Sequence, residues 1–251
     1  MKEKLLVLAK AAPMVSNKYD SLVCVAGITE SGEWRRIYPI PWKYFWGSDP
    51  HHFSKKQWIE YELQSEQPSD HRPESRKIKP ETIKVIRTAN FKEIMGLIKP
   101  KLQDLPALQK IDPRFCSLGV IKPKIVDFYE MNNDQYEKQM EYKKQRTLGN
   151  QSAQPLEIPK KKYGYKFLDE QKNEHEMLCE DWEVAELYRH CEEYRKKGKY
   201  KDEKEVFEKI KQKMLQKIPA KEDFFFVVGT HFRFPTYMII GILYPKKDDQ
   251  Y

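Results

Sequence analysis

The segments Ser21–Thr29, SLVCVAGIT, and Glu33–Pro41, EWRRIYPIP, decide how the first part of this chain folds. The first segment is β-branched and nearly continuously apolar, which predicts a strand that is covered on both faces. Ser31 and Gly32 lie between the two segments and predict a turn. The two segments are therefore expected to form a hairpin.

The second strand of this hairpin combines aromatic rings with two adjacent arginines. Since alternate side chains of a strand share a face, Trp34, Arg36 and Tyr38 are expected to point one way. Arg35 and Ile37 then point the other way. Such a row is typical of proteins that bind single-stranded nucleic acid, because rings stack on bases at about 1–3 kcal/mol each while guanidinium groups meet phosphate. In the alternative interpretation Trp34 and Tyr38 pack beneath the aromatic segment that follows, and Arg36 only extends along the surface.

Other strand and helix patterns lie on both sides of the hairpin. Lys4–Lys10 is a short apolar run, and Gln57–Leu63 shows the two-residue period of a half-buried strand. Asn90, with Glu93 three residues later, is typical of a helix N-terminus. Most of the first half is therefore predicted to consist of short strands with one short helix.

The composition changes at residue 132, where a polar and charged stretch begins. We expect an N-terminal domain at 1–131, a polar helix and linker at 132–157, and a C-terminal domain at 158–251. Within the last domain the apolar residues of 185–218 recur at helical spacing, which predicts a helical insertion whose apolar stripe belongs to the core.

Bulk composition restricts the class of protein. The chain has 251 residues, 13% of them aromatic, with a net charge of +8. The aromatic content argues against disorder, and the basic charge suits a polyanionic partner. Four cysteines do not make a disulfide framework in a chain of this length, and neither a leader nor an apolar run long enough to span a bilayer is recognisable. We therefore expect a cytoplasmic protein with no membrane partner.

Several separated blocks resemble a known family. They are YDSLVCVAGI, GEWRRIYPIPW, QWIEYEL, SDHRPES, FCSLGVIKPK, HEMLCEDWEV and DFFFVVGTHFRFPTYMIIGILYP. These blocks resemble the dual OB-fold domain family of largely uncharacterised prokaryotic proteins, and they cover nearly the whole chain except the polar stretch. The resemblance implies an α+β, β-rich fold of two small OB-like β-barrels, the second with a helical insertion. By analogy with other OB barrels it also implies binding of an oligonucleotide or nucleotide.

Three more segments hold candidate contacts to phosphate. SDHRPESR places two arginines in one loop, SLGVIKP offers a lysine, and GTHFRFP joins two apolar strands with hydroxyl, imidazole and guanidinium groups. Each segment can also be read as an ordinary charged loop or hairpin tip. The nucleic-acid-binding residues predicted from the sequence are Trp34, Arg35, Arg36, Tyr38, Arg72, Arg76, Lys122, Thr230, His231 and Arg233.

An enzymatic alternative depends on HEMLCEDWE. His175, Asp181 and Glu183 would share one face if the whole segment were a strand, and could then bind a divalent metal and activate water for phosphodiester cleavage. Members of the family that the chain resembles can carry cysteines before this histidine. The corresponding stretch FLDEQKNEHE has none, so no zinc site is expected at His175. No cofactor motif is recognisable either.

The leading hypothesis is therefore a binding module without enzymatic activity, for nucleic acid or a nucleotide, with single strands favoured. Such a module could act with partner proteins in genome defence or nucleic-acid processing. The alternatives are a metal-dependent nuclease or phosphoesterase and a protein-interaction subunit. Aromatic and basic pairings favour binding, and the missing catalytic signature disfavours the enzyme.

Overall fold

A computed structural model describes residues 1–12, 22–45, 49–138, 140–141, 159–218, 223–231 and 234–245. The described residues form two six-stranded sheets with few helices, so the chain is β-rich and of the α+β class. None of the helices among the described residues is long and apolar enough to cross a membrane.

The first sheet contains the predicted hairpin. Its strands are β1 (Lys2–Lys10), β2 (Leu22–Thr29), β3 (Trp34–Pro41), β4 (Gln57–Leu63), β5 (Ser75–Arg76) and β6 (Ile78–Thr88), in the order β5-β3-β2-β1-β4-β6. Gly32 has a φ of +81°, which permits the tight turn between β2 and β3. The hairpin predicted from the sequence is confirmed.

This first sheet curls on itself. Only Lys77 separates β5 from β6. β5 pairs in parallel with β3, and β6 pairs antiparallel with β4. The interrupted run from Ser75 to Thr88 therefore forms both end strands of the order.

The second sheet also has six strands, two of which pair in parallel. Its strands are β7 (Leu118–Ile121), β8 (Lys124–Asn132), β9 (Lys161–Leu168), β10 (Glu174–Cys179), β11 (Phe225–Thr230) and β12 (Tyr237–Leu243), in the order β7-β11-β12-β10-β9-β8. β10 and β12 pair in parallel, whereas the other neighbours are antiparallel. Two residues, Lys122 and Pro123, separate β7 from β8.

Helices lie before and within the second sheet. They are α1 (Phe91–Ile98), α2 (Leu105–Gln109), α3 (Trp182–Lys196) and α4 (Glu203–Lys211), and a π-helical turn (Gln212–Lys217) follows α4. Asn90 caps α1 by accepting a hydrogen bond from the Glu93 amide at 2.8 Å, as the sequence predicted. The helices predicted at 185–218 are present and begin three residues earlier, at Trp182.

The boundary between the two sheets lies between β6 and β7, before the polar stretch. β7 and β8 end by residue 132, yet they pair with β11 and β9, which follow the polar stretch. Within the predicted polar helix and linker, residues 136–138, 140 and 141 are helical. Residue 139 and residues 142–157 lie outside the described residues.

The sheets pack face to face through an apolar layer. Its residues come from β1, β2, α1, β7, β11 and β12, and include Leu6, Leu8, Ile28, Ile94, Val120, Phe225 and Ile240. The two sheets approach closely at Gly241, where an added Cβ would lie 2.7 Å from the Ala9 Cβ. Two further apolar clusters fill the opposite face of each sheet. One face of each sheet is thus covered by the other sheet.

Candidate nucleic-acid interface at the junction of the sheets

Four separated segments meet around Ser117, immediately before β7. The Ser117 carbonyl accepts hydrogen bonds from Arg36 Nη2 at 3.2 Å and from the Thr230 amide at 3.0 Å. Glu74 accepts from the Ser117 amide at 2.6 Å and from its hydroxyl at 2.8 Å. Arg72 Nη1 donates to the Thr230 carbonyl at 3.2 Å. We call Arg36, Arg72, Glu74, Ser117 and Thr230 the junction cluster, because it ties the first sheet to the second.

All five side chains of the junction cluster are buried. Arg72 also forms an ion pair with Asp70, at 2.7 Å. Burial acts to raise the pKa of Asp70, but the hydrogen bonds from Arg72 outweigh it and hold that pKa below its ordinary value. The charged side chains of the junction cluster therefore bind other groups of the protein.

Exposed rings lie beside this cluster. Leu118 of β7 is paired with Gly229 of β11, so the residues just beyond them lie at one end of the second sheet. Phe115 is 79% exposed and Phe234 is 61% exposed. His231 stacks on Phe234, with ring centroids 5.3 Å apart and an interplanar angle of 19°. We call Phe115, His231 and Phe234 the ring surface.

The arginine pair of β3 is engaged with protein partners. Arg35 forms a bidentate ion pair with Glu3, in which Nη2 lies 2.7 Å from one carboxylate oxygen. Arg36 is 2% exposed and donates across the junction to Ser117. Neither guanidinium group is presented to solvent, although the sequence pattern predicted that both would meet phosphate. The second sheet covers the face of β3 that carries Arg36, whereas Arg35 points to the other face, where Glu3 of β1 binds it.

The other predicted binding residues are spread around the junction. Trp34 is half-buried against the apolar layer between the sheets, whereas Tyr38 is 39% exposed. Arg76 donates to the Pro73 carbonyl at 2.7 Å. Lys122 is exposed, with its Nζ 5.6 Å from the centroid of a β11 phenylalanine ring. Arg233 lies outside the described residues.

The candidate catalytic residues do not form a metal site. His175 pairs with Asp169 in the β9–β10 hairpin, at 2.9 Å. Strand β10 ends at Cys179, so Asp181 and Glu183 do not continue its face; instead Asp181 caps α3. In the described part of the chain no group of three or more His, Cys, Asp and Glu side chains could hold a metal ion.

Asp181 belongs to a second buried charge cluster, which links the sheets at another point. It accepts from Lys55 Nζ at 2.8 Å and from the Ile242 amide at 2.6 Å. Burial acts to lower the pKa of Lys55, but the carboxylates of Asp181 and Glu183 raise it above its ordinary value. Lys10 lies nearby with its Nζ 3.8 Å from the centroid of an aromatic ring, and burial lowers its pKa to about 7.

Sequence reasoning missed several of these residues. Phe115 stands in no pattern that distinguishes an exposed ring from a core ring, and Phe234 was visible only as a neighbour of the predicted loop residues. Lys10 is the last residue of the apolar strand β1, and Lys55 lies shortly before the strand β4. At such strand ends a lysine is expected on the surface. Lys55 contacts Asp181 and the Ile242 carbonyl of the second half, whereas Lys10 is covered by Phe45 and Phe53 of the first half.

Two family models, both of domains of unknown function, match successive parts of the chain. No curated protein matches the sequence. The model of a domain of unknown function, DUF8758, matches residues 1–96, which include the whole first sheet. A second domain of unknown function, DUF8757, matches residues 99–251 and the second sheet. Since this second match spans more than half of the chain, the chain belongs to the DUF8757 family.

Proposed function

We propose that this protein is a binding module for single-stranded nucleic acid and that the ring surface stacks on the bases. The single observation that carries the proposal is the exposure of Phe115 and Phe234, two large apolar rings close in sequence to Ser117 and Thr230 of the junction cluster. Proteins that bind single strands place rings on such surfaces, because every base has a face on which a ring can stack.

The strand order supports an OB-like arrangement in both halves. If β5 and β6 count as one interrupted strand, the first sheet has five strands, and its third and fifth pair in parallel. The second sheet has the same order if β7 and β8 are taken as an interrupted first strand, with β10 and β12 as third and fifth. A five-stranded Greek-key barrel with this order is the OB arrangement, and we propose two such barrels.

In such barrels the connection between the fourth and fifth strands is a usual ligand contact. Here these connections are residues 64–74 in the first half and 231–236 in the second. Arg72 of the first connection donates to the carbonyl of Thr230, the residue immediately before the second connection. The ring surface includes His231 and Phe234 from the second connection, which supports its assignment as the binding surface.

The test is the affinity for labelled single strands, measured by fluorescence anisotropy with short uridine and thymidine oligonucleotides. Phe115→Ala and Phe234→Ala should each weaken binding by about 5-fold to 150-fold, since a stacked ring contributes about 1–3 kcal/mol. Tyr194→Ala is the matched control, because Tyr194 is a 40% exposed ring on α3. Its affinity should equal that of the parent.

The salt dependence separates stacking from phosphate contact. Loss of a ring should leave the slope of log affinity against log salt nearly unchanged, whereas loss of a phosphate contact lowers it by about 0.7 for a single strand. Equal affinities of the two phenylalanine variants and the Tyr194 control would refute the proposal. So would binding of free nucleotides or duplex in preference to single strands.

A further inference from the structure

Cys24 of β2 lies beside two buried arginines. Its Sγ accepts a hydrogen bond from Arg36 Nη1 at 3.4 Å. Arg72 is close enough for a favourable charge interaction with the same sulfur. Cys24 itself is only half-buried, so the thiol lies at the border between solvent and the junction cluster. Reactive cysteines occur in partly exposed surroundings of this electropositive kind.

The surroundings of Arg36 point to an anionic partner. This guanidinium has no carboxylate within ion-pair distance in the described part of the chain, and its buried Nε has no hydrogen-bond acceptor there. The nearby carboxylate of Glu74 uses both oxygens on Ser117. Burying a charge without a close partner is costly. The Cys24 sulfur lies 3.4 Å from Nη1 of this guanidinium and is thus placed to interact with the uncompensated cation.

We infer that Cys24 is the nucleophilic thiol of this protein and its site of modification by peroxides. In that reaction the Cys24 sulfur attacks one peroxide oxygen, so that an S–O bond forms and the O–O bond breaks. The sulfur loses two electrons and becomes a sulfenic acid. The other oxygen leaves as hydroxide and takes up the thiol proton, which releases water.

The other cysteines have surroundings of the opposite kind. Burial raises the pKa of Cys116, and the Glu74 carboxylate raises it further. The Cys116 thiol donates to the Leu118 carbonyl at 3.1 Å. Cys179 and Cys191 are buried, and burial raises both of their pKa values. Cys116 is the matched internal control, because it is half-buried like Cys24 and lies beside the same cluster.

The experiment compares reaction rates within one folded protein at neutral pH. The intact chain is treated with limiting iodoacetamide, or with hydrogen peroxide followed by dimedone, and each cysteine peptide is quantified by mass spectrometry. Cys24 should react about tenfold faster than Cys116 with both reagents, in keeping with the effect of neighbouring cations on thiols. This comparison requires no variant.

Arg36→Gln should then slow Cys24 toward the rate of Cys116, whereas Arg189→Gln, on the surface of α3, should leave it unchanged. Thermal unfolding establishes that each variant is folded. If Cys24 reacts no faster than Cys116 in the parent, the inference is refuted. It is also refuted if a folded Arg36→Gln variant keeps the parent rate at Cys24.

Discussion

Replacement of Lys10 by methionine should make the protein more stable at neutral and acidic pH and should change how its stability depends on pH. Lys10 is buried, and its ammonium group donates to the Phe53 carbonyl at 2.8 Å. The same group lies over the Phe45 ring, 3.8 Å from the centroid. Methionine fills a similar volume without a charge, which makes Lys10→Met a suitable perturbation.

The magnitude follows from the pKa. Burial lowers the pKa of Lys10 from 10.5 to about 7, while Glu183 and Asp181 act in the opposite direction and Lys55 acts with burial. Between these two values the unfolded chain holds a proton that the folded chain has lost. Stability therefore rises with pH across this window, by about 1.4 kcal/mol per pH unit and by about 5 kcal/mol in total. Below pH 7 the charged amine imposes this full cost on the folded state.

The assay is urea unfolding of the parent and of Lys10→Met at several pH values between 6 and 10. The difference in free energy of unfolding, parent minus variant, should be negative near pH 6 and should rise steadily above pH 7. Groups that titrate in both proteins cancel in this difference. His52 does not cancel completely, because burial and then Lys10 lower its pKa. It titrates below the window, so it leaves the slope intact.

A difference that stays flat between pH 7 and pH 10 would refute the reasoning. That result would mean that Lys10 keeps its proton in the folded protein, so that Glu183, Asp181 and Glu186 together outweigh burial. If Lys10→Met is more stable than the parent but the difference in free energy of unfolding does not change with pH, the packing of methionine accounts for the gain. The proposed titration of Lys10 would then be wrong. The two observations are thus separable in one data set.

Two further predictions concern the contact between the sheets. Gly241→Ala should destabilise the protein by about 1–3 kcal/mol, because the added Cβ would lie 2.7 Å from the Ala9 Cβ. The control is Gly96→Ala in α1, where an added Cβ meets nothing within 4 Å, so this variant should be more stable than the parent. Urea unfolding compares the two variants. Asp181→Asn should cost about 3–5 kcal/mol, because it leaves Lys55 without its closest partner, whereas Asp202→Asn at the exposed cap of α4 should cost a few tenths.

Local patterns predicted the strands well and the burial of charged residues poorly. Gln57–Leu63 alternates as expected, and Ile59, Tyr61 and Leu63 share one apolar cluster. The apolar run Lys4–Lys10 lies within strand β1. These features depend on neighbours a few residues away, which a sequence displays directly.

Charged residues at the junction depend on contacts that no local pattern encodes. Arg36 donates to Ser117, 81 residues later in the chain. Lys55 binds Asp181, which is 126 residues away. HEMLCEDWE was considered as one strand, but it divides into a strand and a helix because Asp181 caps the helix. The face shared by His175 and Asp181 disappears with that division.

The row of rings and arginines on β3 was expected to face a flat, anionic partner. The second sheet occupies that face. The Ser117 carbonyl accepts a hydrogen bond from Arg36, and the Glu74 carboxylate accepts one from the Ser117 amide. Since Arg35, Arg36 and Arg72 are held by protein groups, phosphate contacts in the proposed complex must come from other, exposed cations. Binding by the ring surface should then depend on stacking more than on charge. A shallow salt dependence, with large effects of Phe115→Ala and Phe234→Ala, is the combination that this arrangement requires.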